Sequence, residues 1–354
     1  MCGIIAAASN RNVGKLLVKG LHKMEYRGYD SAGIALHQND QIAHLRTLGK
    51  VRLLEEKMIS EKPRSKLGIA HTRWATHGEP SEENAHPHKS NERVYIVHNG
   101  IIENYLDLKK FLKKEGYSFT SQTDSELIAH MIEYFLSKGN SMLDSMYLTK
   151  EKLDGAYAIA AIDKEDSNNI IIARNKSPLL IGIGVDEYFA ASDPLAIALW
   201  TNEFIFLEDG DVAVLSSEEY KIFDESKKEA EREISHIDIS SQATSKGEFK
   251  HFMEKEIYEQ PEAILNTIDG RVGGDDVLDN IFGIGSSEIF EKVKRIQIVA
   301  CGTSLHAGRV AANWLSAIAE LPTQIDYASE YRYKNPHVDE DSLLVTISQS
   351  GETA

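Results

Sequence analysis

A short apolar run, Gly3 to Ala8, begins directly behind a cysteine at position 2. Its length suits a buried strand and not a helix, so Cys2 must sit where that strand starts. Once the initiator methionine is removed, one residue carries both a thiol and a free α-amine. The amine has a reference pKa of about 7.7–8.0 and can serve as a base near neutral pH. That pairing is the N-terminal-amine form of nucleophilic catalysis, which needs no separate histidine. The same start also reads as a processed end leading into a strand.

The pattern of short apolar runs continues. Val13 to Met24 has the spacing of an amphipathic helix, and Tyr26 to Gly33 is a glycine-punctuated loop that feeds a strand at Ile34 to Leu36. Leu67 to Ala70 is a strand that delivers the polar loop His71 to Pro80. Val94 to Val97 is another, ending on His98-Asn99-Gly100. A helix spans Tyr105 to Lys114, and Thr123-Asp124-Ser125-Glu126 carries a helix-start signature. Gly155 to Ile162, Ile170 to Ala173, Leu179 to Ile183, Glu187 to Ala190 and Asp211 to Leu215 are further strands. Many short strands and few helices predict two packed sheets covered by helices, a layered α+β domain.

From Ser216 to about Lys250 the composition turns polar and charged, which marks a linker. Beyond Lys294 the order becomes strand (Ile296 to Ala300), helix (Leu305 to Ala319), strand (Gln324 to Tyr327) and strand (Leu343 to Ile347). That succession predicts a parallel α/β unit. The expected division is a first domain over 1–220, a linker and helical connection over 221–284, and an α/β portion over 285–354.

The formal charge of −16 argues against a general role on nucleic acid or anionic membranes. Two distant cysteines, Cys2 and Cys301, offer no disulfide framework and fit a reducing compartment. The run behind Cys2 is too short for a signal peptide, and no segment approaches the ~20 apolar residues of a spanning helix. The expectation is a cytoplasmic protein. His86 and His88 lack a third ligand nearby, so no metal is expected, and no cofactor is called for.

Three loops could serve a thiol that hydrolyses an amide. Arg73 could fork onto a substrate carboxylate. Asp124 could hold an ammonium group, or act simply as a helix N-cap. Asn99 and Gly100 offer a side-chain amide and a backbone N–H for a tetrahedral oxyanion, or a plain Asn-Gly turn. Thr76 and His77 could line the same site or bond within their loop, and Trp74 could be core or gate. In the last portion, Thr303-Ser304 and Ser348-Gln349-Ser350-Gly351-Glu352-Thr353 each follow a strand. Each can bind an anion at a helix N-terminus or simply cap that helix.

Cys2-Gly3-Ile4-Ile5, the Tyr26 to Gly33 loop, His71 to Pro80, Asn84 to His88 and His98 to Asn104 together resemble the glucosamine-6-phosphate synthase family. These are the isomerising glutamine–fructose-6-phosphate aminotransferases. Thr123-Asp124, Phe204 to Glu208, His251 to Pro261 and both Ser/Thr loops extend the similarity over nearly the whole chain. The resemblance implies a class II glutamine amidotransferase domain with an N-terminal-nucleophile hydrolase fold. It implies Cys2 as nucleophile and Asn99 and Gly100 as the oxyanion hole. Arg73, Thr76, His77 and Asp124 would bind glutamine, and Trp74 would gate ammonia. It further implies a sugar isomerase (SIS) domain in which Thr303, Ser304, Ser348, Gln349, Ser350 and Thr353 contact fructose 6-phosphate, and a homodimer for the complete enzyme.

Family members carry two isomerase subdomains and a C-terminal tail with a lysine that forms the sugar imine. This chain contains only part of the first, so glutamine hydrolysis is the half it is expected to support. Two alternatives stand beside that reading. One is a glutaminase serving another acceptor, as in amidophosphoribosyltransferase or asparagine synthetase; the other is a non-catalytic sugar-phosphate-binding fragment.

Overall fold

The computed structural model describes residues 2–25, 28–38, 40–74, 79–237, 249–268, 272–273, 276–277, 286–334, 336 and 338–348. The chain divides into two compact units, Met1–Ser245 and Lys246–Ala354.

The first unit begins β1 (Gly3–Ser9), α1 (Gly14–Met24), β2 (Ser31–Gln38), β3 (Gln41–Leu48) and α2 (Val51–Glu61). Next come β4 (Leu67–Arg73), β5 (His88–Ser90), β6 (Val94–Ile102), α3 (Tyr105–Lys114), α4 (Glu126–Ser137) and α5 (Met142–Lys150). It closes with β7 (Gly155–Asp163), β8 (Ile170–Asn175), β9 (Leu180–Gly184), β10 (Glu187–Ala191), β11 (Glu203–Phe206), β12 (Val212–Leu215), β13 (Tyr220–Phe223) and β14 (Ile234–His236).

Eight strands form one antiparallel sheet in the order β14-β11-β9-β10-β1-β4-β2-β3, and six form a second in the order β13-β12-β8-β7-β6-β5. Strand alternation stacks them. Ile4, Ala6 and Ala8 of β1 join Leu67 and Ile69 of β4, Tyr95 and Val97 of β6 and Ala158, Ala160 and Ile162 of β7 in one core between the sheets. The intervening residues Ile5 and Ala7 face the other way, onto Leu17 and Leu21 of α1 and Leu54 of α2. Behind the second sheet, Ile96, Ile159 and Ile171 pack on Leu127, Ile128 and Met146 of α4 and α5. The result is the expected layered α+β arrangement of helix, sheet, sheet and helix. Each fully buried large apolar side chain in it contributes about 1.5–3 kcal/mol.

Three features depart from the expectation. β3, α2, β5 and α5 are not foreshadowed by the apolar runs. In β3 this is because His44 and Arg46 interrupt the run to donate to the carbonyls of Pro87 and of Glu83 and Ala85. β6 does not stop at Val97 but continues to Ile102, paired throughout with β7. The first unit also extends past residue 220, because β13 and β14 complete the two sheets and Ile222 is buried in the inter-sheet core.

The second unit holds α6 (Phe252–Ile268), a two-residue ladder of β15 (Val272–Gly273) with β16 (Asp276–Val277), α7 (Ser286–Phe290), β17 (Arg295–Ala300), α8 (Gly302–Ile318), β18 (Thr323–Tyr327), α9 (Ala328–Tyr331) and β19 (Ser342–Ile347). β18-β17-β19 form the expected parallel sheet. Its core is small, built on Ile296, Ile298 and Ala312. α8 approaches the sheet so closely at Gly308 that a Cβ there would lie 2.7 Å from Ile325 Cδ1. The edge strand β19 is poorly covered, with Leu344 51% exposed. Among the described residues no helix is long and apolar enough to cross a membrane.

Candidate active site

Cys2, Arg73 and Asn99 of the first unit meet at one end of the inter-sheet core. Along β1 the inward series runs Ala8, Ala6, Ile4, and its next member is Cys2. Along β4 it runs Leu67, Ile69, His71, Arg73, and along β6 it runs Tyr95, Val97, Asn99. Period-two alternation therefore carries the apolar faces of three strands into a polar cluster. β1 and β4 are hydrogen-bonded neighbours with Gly3 opposite Thr72, which sets Cys2 beside the Arg73–Trp74 end of β4.

The Trp74 backbone grips the thiol. Its N–H donates to Cys2 Sγ at 3.3 Å, and the S–H faces its carbonyl at 3.6 Å. Burial pushes the Cys2 thiol above its usual range, against the Trp74 N–H and the Arg73 charge, which pull it down. At neutral pH the group is accordingly a thiol, and its attack needs a base. Arg73 is buried, and its Nη1 lies 3.5 Å from the Glu79 carbonyl. Trp74 is 43% exposed and meets Tyr29 edge to face, so it is not a core residue. The glycine loop backs this strand end. A Cβ on Gly28 would stand 2.6 Å from the Arg73 carbonyl carbon, so only glycine allows that approach.

Asn99 enters from the facing sheet. Its Nδ2 donates to the Cys2 carbonyl at 3.1 Å, and its Oδ1 accepts from His71 Nε2 at 3.0 Å. Gly100 is exposed with φ of +133°, and a Cβ there would collide with the Ala156 carbonyl oxygen at 2.0 Å. Asn99-Gly100 is not a turn: both residues lie within β6, opposite Ala158 and Tyr157. Behind them His71 stacks on His86 at 4.1 Å, and His98 bonds Ser125 Oγ through Nδ1 at 2.8 Å. Burial lowers all three histidines, His71 to about 3, and keeps them neutral.

Asp124 is buried but is not the N-cap of α4. Its Oδ2 accepts the Ile102 N–H at 2.8 Å and so pins the end of β6. Ser125 occupies the cap position without a side-chain cap bond. Glu126 instead takes the N–H groups of Thr120 and Ser121 at 2.8 and 2.7 Å. Two further residues tie the Arg73 side to the Asp124 side. Asn84 Nδ2 donates to the Glu79 carbonyl at 2.9 Å and to Gln122 Oε1 at 3.2 Å, while the Gln122 N–H returns to Asn84 Oδ1 at 2.8 Å. Sequence reasoning passed over His71, Asn84 and Gln122. For His71 a signal existed, since it lies two residues from Arg73 and shares its face; for the Asn84–Gln122 pair none did.

In the second unit Thr303 and Ser304 occupy the first turn of α8, after β17, while Ser348 follows β19. β17 and β19 are parallel neighbours with Ala300 opposite Ile347, so the Cys301-Gly302 end of β17 and Ser348 lie at the same end of the sheet. The chain leaves β17 for β18 on one side and returns to β19 on the other. That makes the β17/β19 boundary a reversal of strand order, where open α/β sheets bind ligands. Thr76, His77, Gln349, Ser350 and Thr353 lie outside the described residues. Among the described residues no group of three His, Cys, Asp or Glu could hold a metal ion.

Residues 71–198 match the glutamine amidotransferase domain family, and residues 289–354 match the SIS domain family. Curated relatives include the isomerising glutamine–fructose-6-phosphate aminotransferases of Shewanella oneidensis and Haemophilus influenzae, each 48% identical. That of Vibrio parahaemolyticus is 47% identical. Each match covers 100% of this chain and 58% of the relative, so the chain spans little more than half of their length. Among solved structures, a glutamine phosphoribosylpyrophosphate amidotransferase from B. subtilis superposes with a TM-score of 0.54 at 20% identity, covering 92% of this chain and 65% of that one. A structure described as the allosteric regulatory enzyme of purine biosynthesis gives 0.55 at 21%, with the same coverage. At such identity the likeness carries the N-terminal-nucleophile amidotransferase fold and nothing of the acceptor. By sequence the chain is similar over its full length to the glutamine–fructose-6-phosphate aminotransferases, and it carries glutamine amidotransferase-domain sequence followed by SIS-domain sequence.

Proposed function

We propose that this chain hydrolyses glutamine to glutamate and ammonia, and that in the complete enzyme the ammonia converts D-fructose 6-phosphate to D-glucosamine 6-phosphate. The observation that carries the reading is the placement of Cys2 Sγ against the Trp74 backbone, with Asn99 on the Cys2 carbonyl. With Met1 removed, the Cys2 amine takes the thiol proton as sulfur attacks the side-chain carboxamide carbon. Asn99 and Gly100 hold the oxyanion. The amine returns the proton to the departing nitrogen, and ammonia leaves a thioester that water hydrolyses.

Arg73 receives the substrate carboxylate and Asp124 its ammonium, with Thr76 and His77 lining the same pocket. Trp74, exposed beside the thiol, gates the exit of ammonia. Thr303, Ser304, Ser348, Gln349, Ser350 and Thr353 form the sugar-phosphate site at the strand-order reversal, where small hydroxyls and helix N–H groups suit a phosphate. The two free cysteines fit a cytoplasmic enzyme, and the complete enzyme is a homodimer. The test is ammonia release from glutamine by the purified chain after mass spectrometry has shown that Met1 is gone. Release that survives Cys2→Ala unchanged overturns the reading.

A further inference from the structure

His71 has no role in the chemistry above, yet among the described residues it alone has a side chain bonded to the Asn99 carboxamide oxygen. Its ring is fully buried at the end of the inter-sheet core. Nε2 lies 3.0 Å from Asn99 Oδ1 and 3.2 Å from the His98 carbonyl oxygen, two groups that only accept. Nε2 must therefore carry the proton. Nδ1 is buried with no hydrogen-bond partner among the described residues, so a proton there would find no acceptor among them. Stacking on His86 at 4.1 Å and 16° holds the ring plane, and His86 Nδ1 is itself engaged by the His98 N–H at 3.2 Å.

The consequence falls on Asn99. A carboxamide can be turned end for end with little change of shape, and only its neighbours decide which way it points. Here the Cys2 carbonyl accepts from one end and the His71 N–H donates to the other. Turning the amide would set oxygen against oxygen at Cys2 and N–H against N–H at His71. We infer that His71 is a positioning residue of the hydrolytic reaction, whose Nε2–H holds the Asn99 amide with its NH2 toward the reacting carbonyl. One Nδ2 proton is spent on the Cys2 carbonyl, and the other is the donor left for the oxyanion. The inference rests on the glutaminase reading. It adds that the oxyanion donor is oriented by a neutral histidine from the opposite sheet.

The test compares His71→Phe and His71→Gln in the full chain. The phenylalanine keeps the ring and the stacking but removes the donor; the glutamine amide reaches the Nε2 position and restores one. His71→Phe should lower kcat for glutamine by about 100-fold with KM little changed, and His71→Gln should recover at least about tenfold of that loss. Alkylation of Cys2 by iodoacetamide forms no tetrahedral oxyanion, so its rate should stay within about threefold of the parent. In an Asn99→Ala background His71→Phe should have no further effect on kcat, because His71 acts through Asn99. The inference is overturned if His71→Phe leaves kcat unchanged, if its loss persists in full without Asn99, or if alkylation slows in parallel. Should both variants fail to fold, nitrogen NMR of the parent decides, since a His71 protonated at Nδ1 is incompatible with the arrangement. A parent that releases no ammonia refutes the glutaminase reading, and the tautomer measurement then still stands on its own.

Discussion

Asn99 donates its side-chain N–H to the Cys2 carbonyl across 3.1 Å, joining a strand of one sheet to the residue that leads into an interior strand of the other. The two residues are 97 positions apart, so the thiol and its proposed oxyanion donor are brought together only when the sheets stack. Any disturbance of that stacking reaches the chemistry.

Asn99→Ala removes the amide while leaving β6 paired with β7. Loss of one oxyanion donor should lower kcat by about 10²–10³-fold. Steady-state glutaminase kinetics check this, and a kcat within a few-fold of the parent would remove Asn99 from the oxyanion hole.

Gly100→Ala should damage the fold before the chemistry. The new Cβ would stand 2.0 Å from the Ala156 oxygen at a φ of +133°, where side chains are strained. The expected loss is more than about 2 kcal/mol of stability, read as a lowered Tm in thermal unfolding. An unchanged Tm would mean that β6 and β7 can part locally.

Asp124→Asn separates the structural bond from the charge. Asparagine can keep an oxygen on the Ile102 N–H, so Tm should move little, while glutamine KM should rise about 10–100-fold through the lost ammonium partner. Equal KM for the two proteins would assign Asp124 to the Ile102 bond alone.

The buried histidines make stability depend on pH. His71 is lowered to about 3 and His44 to about 4, both chiefly by burial, against about 6.5 in an unfolded chain. Between those values the unfolded chain binds more protons, so stability is complete above pH 6.5 and falls as pH drops toward the folded values. Each such histidine removes about 2 kcal/mol by pH 5. His86 and His98 shift in the same direction. Tm should fall steeply from pH 7 to 5, and a flat profile would show that these rings charge without unfolding.

The resemblance of the motifs, the two-unit plan and most strands were legible in the sequence, because a strand buried in a layered fold writes its burial as a short apolar run. Leu67 to Ala70 and Ile296 to Ala300 are such runs and end where the candidate site loops begin. β3 was not legible, since His44 and Arg46 are held by backbone carbonyls of a distant loop. Nor was the role of Asp124: its sequence context reads as a helix cap, and the competing Ile102 N–H comes from another element.

By itself the sequence determined that a thiol stands at the start of a buried strand, that Arg73 shares an alternation phase with His71, and that Asn99-Gly100 ends an apolar run. Periodicity is local, and each of these statements needs only a window of a few residues. Which faces meet was decided by the tertiary structure alone. The stacking of two sheets sets Cys2, His71 and Asn99 around one point, and hydrogen-bond complementarity among them fixes a tautomer and an amide orientation that no single strand specifies.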